Sequence, residues 1–395
     1  MTETHYAPHF QNSEGFYGYL RAGSRGIGIR NYTIVCSLAP CTDSWIVDVP
    51  RKFAPSVKAI PSPGFCSRDA GFLDRLMKLL SNPNVFSVIF VDQRCSSIDL
   101  DYVVNGLKSQ GIPSYSLAID SFECLADFHC HLDAVINQNL NEASAISRSS
   151  ASWSSLCIGA KCGGSDWTTG LFANPLVRSI FEELISLNGW GMVSELGEYL
   201  GVESLILDQI KDAALQEKFL YALKLKFDKL RSFGTDAFMV KGNLDGGLFT
   251  PEEKALGSYA KFSGLKIIEV LDVNPKVEVF DRMRRDGGIV LQLGSNQEPQ
   301  VFTEMAYAGC VGALFTTGLG GGFNHPLTPL FVISPRVSVE KKMSTFFADF
   351  SPSPEECVED VESLRDKLFS KFERWINGEL SKVEKESVDA FQWSL

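Results

Sequence analysis

Short apolar runs rich in β-branched residues alternate with amphipathic stretches along most of this chain, and that alternation limits its fold more than any other feature. Residues 33–39 (Thr-Ile-Val-Cys-Ser-Leu-Ala) and 85–91 (Val-Phe-Ser-Val-Ile-Phe-Val) have the length and composition of strands buried on both faces. Between them, residues 69–80 place Ala70, Phe72, Leu73, Leu76, Met77, Leu79 and Leu80 at helical spacing, and Asn82-Pro83-Asn84 stops the run. Residues 100–108 predict another helix, closed by Gly111-Ile112-Pro113, and residues 122–140 one more. Further strands are predicted at 189–195, 265–271, 288–293, 312–315 and 330–333, with a long helix over 205–230. Alternation of this kind builds parallel sheets, so the expected fold class is α/β.

At 395 residues the chain exceeds the ~250–300 at which single cores stop growing. Two packed α/β domains with mostly parallel sheets are therefore expected, over 16–150 and 151–350. A mobile tail is expected at 1–15, a Ser- and Ala-rich linker at 141–153, and a C-terminal amphipathic helix within 351–395. That helix carries Val358, Val361, Leu364, Leu368 and Phe372 on one face and reads as a packing or oligomer contact, so a homo-oligomer is expected. The net charge of −11 and the lack of a basic run argue against a nucleic-acid partner. No apolar stretch approaches ~20 residues and residues 1–11 are polar, so neither a membrane span nor a signal peptide is expected. Ten cysteines without a close paired framework suggest reduced thiols and a cytoplasmic setting.

Ligands of parallel sheets collect at the carboxyl ends of strands, where Cys95 and Thr316-Thr317-Gly318 fall; three further stretches carry candidate chemistry. In Lys161-Cys162-Gly163-Gly164-Ser165-Asp166 a thiol, paired glycines, a hydroxyl and a carboxylate precede a helix expected to start at Asn174-Pro175. The same stretch also reads as a glycine turn with a buried cysteine. The loop from Arg25 to Asn31 carries Arg25, Arg30 and Asn31, which suit a carboxylate ligand, or form a structural turn. Glu253-Lys254 reads equally as a helix start with Thr250 as N-cap and Glu253 completing a capping box.

Four ordered blocks resemble the altronate/galactarate dehydratase family, hydro-lyases that act on sugar acids. They are Phe16-Tyr17-Gly18-Tyr19-Leu20-Arg21 with Arg25-Gly26-Ile27-Gly28-Ile29-Arg30-Asn31-Tyr32; Cys162-Gly163-Gly164-Ser165-Asp166 with Asn174-Pro175; Gly242-Asn243 with Thr250-Pro251-Glu252-Glu253-Lys254-Ala255-Leu256-Gly257; and Leu314-Phe315-Thr316-Thr317-Gly318. Dehydrating a 2,3-dihydroxy acid requires removal of the proton α to the carboxylate and expulsion of the 3-hydroxyl, hence a base, a stabiliser of the enediolate and an acid. The resemblance implies a divalent metal, Fe2+ before Mn2+ or another ion, with Cys162, Asp166, Cys95 and Glu195 as ligands. Glu195 and Glu198 stand where the family tends to carry an S-E-T-P-E-like motif. Lys254, Lys161 and Glu253 are the implied catalytic residues. Gly163, Gly164, Ser165, Asn243, Thr316, Thr317 and Gly318 are the implied substrate contacts, joined by Arg25, Arg30 and Asn31.

The chain also departs from the family pattern. Ser62-Pro63-Gly64-Phe65-Cys66 lacks the family's histidine, Arg94-Cys95-Ser96 lacks the acid of G-C-E, and Leu319 replaces the arginine of T-T-G-R-G. Only about fifteen residues precede the first block, as in large subunits of two-chain members, which implies a separate small subunit. A sulfo-lyase acting on a sulfonated hydroxy acid and a non-catalytic, sugar-acid-binding paralogue are the alternatives to a sugar-acid dehydratase.

Overall fold

The computed structural model describes residues 10–12, 14–64, 71–94, 97–194, 196–232, 238–271, 287–318, 320–335 and 346–394. Among them lie two parallel sheets. The smaller has the order β4-β3-β5-β6, built from β3 (Tyr32–Ser37), β4 (Val57–Ile60), β5 (Val85–Asp92) and β6 (Ser114–Ala118). The larger has the order β10-β11-β9-β8-β12-β13, from β8 (Cys157–Cys162), β9 (Trp190–Val193), β10 (Ile267–Leu271), β11 (Gly288–Gln292), β12 (Gly312–Thr316) and β13 (Leu330–Ile333). Every residue of β3, β5, β8, β9, β11, β12 and β13 is buried, the state that parallel strands covered by helices on both faces require. A third, antiparallel sheet joins β1 (Phe16–Leu20) to β2 (Ile27–Gly28) and β7 (Ser149–Ala151).

The main helices are α1 (Phe72–Leu80), α2 (Leu100–Ser109), α3 (Leu125–Ser144), α4 (Asn174–Ser186), α5 (Ala213–Ser232), α6 (Pro251–Tyr259), α7 (Glu298–Tyr307) and α8 (Val361–Ile376). Helix α7 is shared by the two parallel sheets. Ala306 and Tyr307 join a cluster with Phe72, Leu76 and Trp393, while Val301, Phe302 and Met305 pack against β8, β9 and β12. Helix α8 buries Leu364, Leu368, Phe369, Phe372 and Trp375, whereas Val358 and Val361 at the start of the expected face are exposed. No helix among the described residues is long and apolar enough to cross a membrane.

Three local expectations are corrected. The linker over 141–153 contains the end of α3 and then β7, whose Ser-Ser-Ala sequence has no apolar signature and is held by pairing with β1. The helix expected over 205–230 is two, Glu203–Leu207 and α5, because the Asp212 carboxylate accepts from the Ala214 and Leu215 amides and starts a new helix. The tail fails at Phe10, which is buried and stacked on Trp153 at 4.4 Å, while the Trp153 indole donates to the Asn12 carbonyl at 2.9 Å. Residues 1–9 lie outside the described residues.

Helix α7 also carries Glu304, 1% exposed, which accepts from the Ser394 hydroxyl at 2.7 Å and the Ser295 amide at 2.8 Å. Burial pushes its carboxyl up to about 7 against those hydrogen bonds. The folded chain then keeps a proton that the unfolded chain releases near 4.5, so stability falls as pH rises from there through 7. Glu304→Gln is expected to flatten that fall, which urea unfolding between about pH 5 and pH 8 measures.

Candidate active site

Strands β8 and β12 lie side by side with Cys162 opposite Thr316, so their carboxyl ends bring the Lys161–Asp166 and Thr316–Gly318 segments together. The Gly163 amide donates to the Thr316 carbonyl at 2.9 Å and the Gly318 amide to the Gly164 carbonyl at 3.2 Å. Gly164 turns at φ +53°, where a side chain would be strained. A Cβ on Gly318 would stand 1.9–2.2 Å from the Asp166 carboxylate, so that carboxylate rests directly against the glycine backbone.

Asp166 is fully buried, and its Oδ1 accepts from the Thr168 hydroxyl (2.7 Å), the Thr169 amide (2.8 Å) and the Thr169 hydroxyl (2.9 Å). This is the capping geometry that Asn174 was expected to supply. Asn174 instead lies inside a continuous helical run, after a π-turn at Thr169–Ala173. Its amide side chain ties the Thr316 hydroxyl (2.7 Å) to the Gly257 carbonyl (2.8 Å). Gly318→Ala is expected to lower unfolding stability by about 2 kcal/mol by displacing Asp166. Asp166→Ala in the same background should add little further loss, a non-additivity that urea titration of the double variant checks.

The chemically loaded cluster lies beside this scaffold. The Lys261 ammonium donates to the Cys162 sulfur at 2.9 Å and to the Ser258 hydroxyl at 3.0 Å. Ser258 donates to Glu198 Oε2 at 2.6 Å, and the Cys162 sulfur lies 3.2 Å from both Ser258 and Glu198. Lys254 and Lys161 approach Glu198 Oε1 at 3.4 and 3.8 Å. Lys161, Cys162, Glu198, Ser258 and Lys261 are all buried; the Lys254 side chain, 16% exposed, forms the open edge. Burial alone would raise the Glu198 carboxyl, but Lys161, Lys254 and Lys261, with the Ser258 hydroxyl, hold it well below the usual carboxylate range. An ammonium–carboxylate pair at ~4 Å is worth about 4 kcal/mol at an effective dielectric near 20, so several are needed to offset a buried charge.

Helix α6 explains the geometry. Lys254 and Ser258 follow i, i+4 spacing on one face of α6, aimed at the end of β8, and Lys261, two residues past the helix, is turned back beside them with its amide donating to the Ser258 carbonyl at 3.3 Å. Sequence reasoning reached Lys161, Cys162 and Lys254 but missed Ser258 and Lys261. That spacing, Lys-x3-Ser-x2-Lys, was the signal available.

The other expected residues divide clearly. Asn243 donates to the Ser165 carbonyl at 2.9 Å, and the Thr317 hydroxyl to the Gly320 carbonyl at 3.1 Å, so both brace the loops around the cluster. Glu253 is exposed and accepts from the Phe249 and Thr250 amides while its own amide donates to Thr250. It caps α6, the alternative that its sequence context offered, and its placement among catalytic residues is corrected.

Arg25, Arg30 and Asn31 do not reach this site. Ile29 packs against Gly312 at the amino end of β12, the opposite end from Thr316. Arg30 is buried against Glu384, Arg25 donates to main-chain carbonyls of 81–85, and Asn31 donates to Ala143. These partners fix the chain fold, which corrects the substrate contacts expected of them here.

A family model described as D-galactarate/altronate dehydratase, C-terminal, matches residues 153–394, which include every member of the cluster. This chain belongs to the D-galactarate/altronate dehydratase family. Among its relatives, the (2R)-sulfolactate sulfo-lyase subunit beta of Chromohalobacter salexigens is 27% identical over 83% of this chain and 84% of its own length. The altronate dehydratase of Bacillus subtilis is 26% identical over 67% of this chain, and that of Escherichia coli 30% over 49%. The chain spans 50% and 38% of those two proteins.

The resemblance implies a divalent metal held by Cys162, Asp166, Cys95 and Glu195. Among the described residues no group of three or more His, Cys, Asp and Glu side chains stands together. The cluster offers one thiol and one carboxylate, crowded by ammonium groups that repel a cation, and Asp166 is committed to its cap. Cys162 and Asp166, the expected ligands among the described residues, do not by themselves make a divalent-metal site. Cys95 and Glu195, the remaining expected ligands, lie outside the described residues, as do Cys66 and Leu319.

Proposed function

We propose that this chain is a hydro-lyase that dehydrates a sugar acid, an aldonate or aldarate, to a 2-keto-3-deoxy acid. The observation that carries the reading is the convergence of Lys161, Lys254 and Lys261 on Glu198 and Cys162 at the carboxyl end of β8 in a chain of this family. Loss of the α-proton puts negative charge on the substrate carboxylate as an enediolate, and fixed ammonium groups in a water-poor site oppose that charge directly. Lys254, at the open edge, meets the carboxylate; Lys161 shares the charge; Glu198 positions both. Cys162, bonded to Lys261, is the proton-handling group. The 3-hydroxyl leaves as water once protonated, and the resulting enol ketonises.

Incubating the chain with altronate and galactarate and trapping 2-keto acid with semicarbazide tests this reading. Turnover that is lost in Lys254→Met supports it, and product formation unaffected by that change contradicts it. A second reading, sulfite release from a sulfonated hydroxy acid, is favoured by the relative whose length the chain nearly covers. Free sulfite from 3-sulfolactate, with no 2-keto-3-deoxy acid from sugar acids, is the result that selects it. That relative is named as one subunit of an assembly, and the chain spans half or less of the two altronate dehydratases. A separate small subunit, and self-association, therefore form part of this proposal.

A further inference from the structure

The apolar face of α8, expected from the sequence to supply an oligomer contact, is consumed inside the chain: Leu364, Leu368, Phe369 and Phe372 pack into the core around the larger sheet. A broad exposed apolar surface lies elsewhere. Trp167, Leu171, Leu244, Phe249 and Leu256 are each between 45% and 73% exposed. They come from three segments: the stretch between β8 and α4, the short helix Lys241–Asp245 with the turn after it, and α6.

Close main-chain contacts join these segments into one surface. The Trp167 amide donates to the Gly246 carbonyl at 3.1 Å, and a Cβ on Gly247 would stand 3.4 Å from the Trp167 ring. Gly247 closes the turn after Leu244, its amide donating to the Leu244 carbonyl at 3.0 Å, and lies two residues before Phe249. A Cβ on Gly170 would stand 3.2 Å from the Gly257 Cα, so Leu171 and Leu256 flank a contact between backbones. The Phe249 amide is held by Glu253 Oε2 at 2.6 Å, and the Trp167 and Phe172 rings meet edge-on at 6.0 Å. The surface is fixed before it meets a partner, which lowers the entropy lost on binding.

Large aromatic side chains carry about 150–250 Å² each, so two aromatics and three leucines at these exposures leave roughly 500 Å² of apolar surface. Soluble monomers rarely expose more than a few hundred Å² in one patch. A stable interface takes about 800 Å² from each partner, about 65% of it apolar when the partners are identical. The apolar patch and its polar rim together meet that requirement. The rim carries both signs. Lys241 and Asp245 border Leu244, and Glu252 shares an exposed face of α6 with Leu256 at i, i+4 spacing. A two-fold interface sets a patch against its own copy, so opposite charges on one surface make it self-complementary, here Lys241 against the partner's Glu252. We propose that this patch is a two-fold interface between two copies of the chain. The proposal rests on the self-association included in the proposed function and locates it; it does not depend on which acid is turned over.

The test is sedimentation velocity of the full chain at micromolar concentration, without substrate. The expected result is a dimer whose dissociation constant rises about tenfold or more in Phe249→Glu and in Leu171→Glu, since a charge set in the apolar centre of an interface finds no partner. Tyr102→Glu, at an exposed ring on α2 beside the smaller sheet, should leave the dimer unchanged. A monomeric native chain, an unchanged constant in both patch variants, or an equal loss in Tyr102→Glu overturns the proposal. Each variant is checked for a native circular dichroism spectrum, and should one patch variant fail to fold, the other decides alone. Because mass is read without substrate, a dimer that turns over no acid contradicts the proposed reaction and leaves this interface standing.

Discussion

Glu198→Gln is expected to destabilise the chain by about 3–5 kcal/mol, the scale on which a buried ion pair is lost when one partner is removed. Glutamine retains the shape and can still accept from Ser258. It leaves Lys161, Lys254 and Lys261 facing one another without the carboxylate that gathers them. The midpoint of urea unfolding should drop while the slope stays the same. Any residual folded protein should be inactive on every acid that the native chain turns over, because the ammonium groups no longer share a fixed geometry. A midpoint within experimental error of the native chain would show that Glu198 does not organise the cluster.

The second large effect lies at the other end of the sheets. Glu384 is fully buried and accepts from Arg30 Nε (2.6 Å) and Nη2 (2.8 Å), the Tyr32 hydroxyl (2.9 Å), the Trp375 indole (3.1 Å) and the Ser381 amide (3.0 Å). One carboxylate thereby joins the loop before β3, the end of α8 and the C-terminal segment. Glu384→Gln is expected to cost about 3–5 kcal/mol by stranding the buried Arg30 guanidinium. Burial would raise the Glu384 carboxyl, yet Arg30 and the Ser381 amide hold it down at about 2. Its folded value is below the unfolded 4.5, so its stabilisation is present above about pH 4.5 and lost as pH falls toward 2. Acid unfolding followed by circular dichroism should show a steep loss of stability in that window for the native chain and a shallower one for Glu384→Gln.

Much of this fold was legible because parallel strands buried on both faces advertise themselves as apolar runs. The strand observed at Leu330–Ile333 coincides with its prediction, and β5, β9 to β12 and helix α2 fall within a residue or two of theirs. Strands β1, β2, β4, β6 and β7 were missed because each is short or half-exposed and is fixed by its neighbour in the sheet rather than by its own pattern; β8, fully buried, was missed because Gly159 and Lys161 break its apolar run just before the glycine loop. The site was legible in part. Lys161, Cys162 and Lys254 stand in recognisable motifs, whereas Ser258 and Lys261 look like ordinary residues of a polar helix until α6 is placed against the end of β8. Arg30 and Asp166 show the converse. Charged residues in conspicuous motifs turn out to hold the chain together, and a sequence does not distinguish a carboxylate that caps a helix from one that meets a substrate.

The most direct test of the account is steady-state kinetics of the native chain, Lys254→Met and Lys261→Met on whichever of altronate, galactarate or 3-sulfolactate is turned over, each variant checked for a native circular dichroism spectrum. Both variants are expected to lose about a hundred- to a thousandfold in kcat/KM, Lys254→Met by removing the fixed charge that meets the developing enediolate and Lys261→Met by releasing the Cys162 sulfur that it holds. Folded variants that turn over at the native rate would contradict it and place the chemistry elsewhere in the molecule.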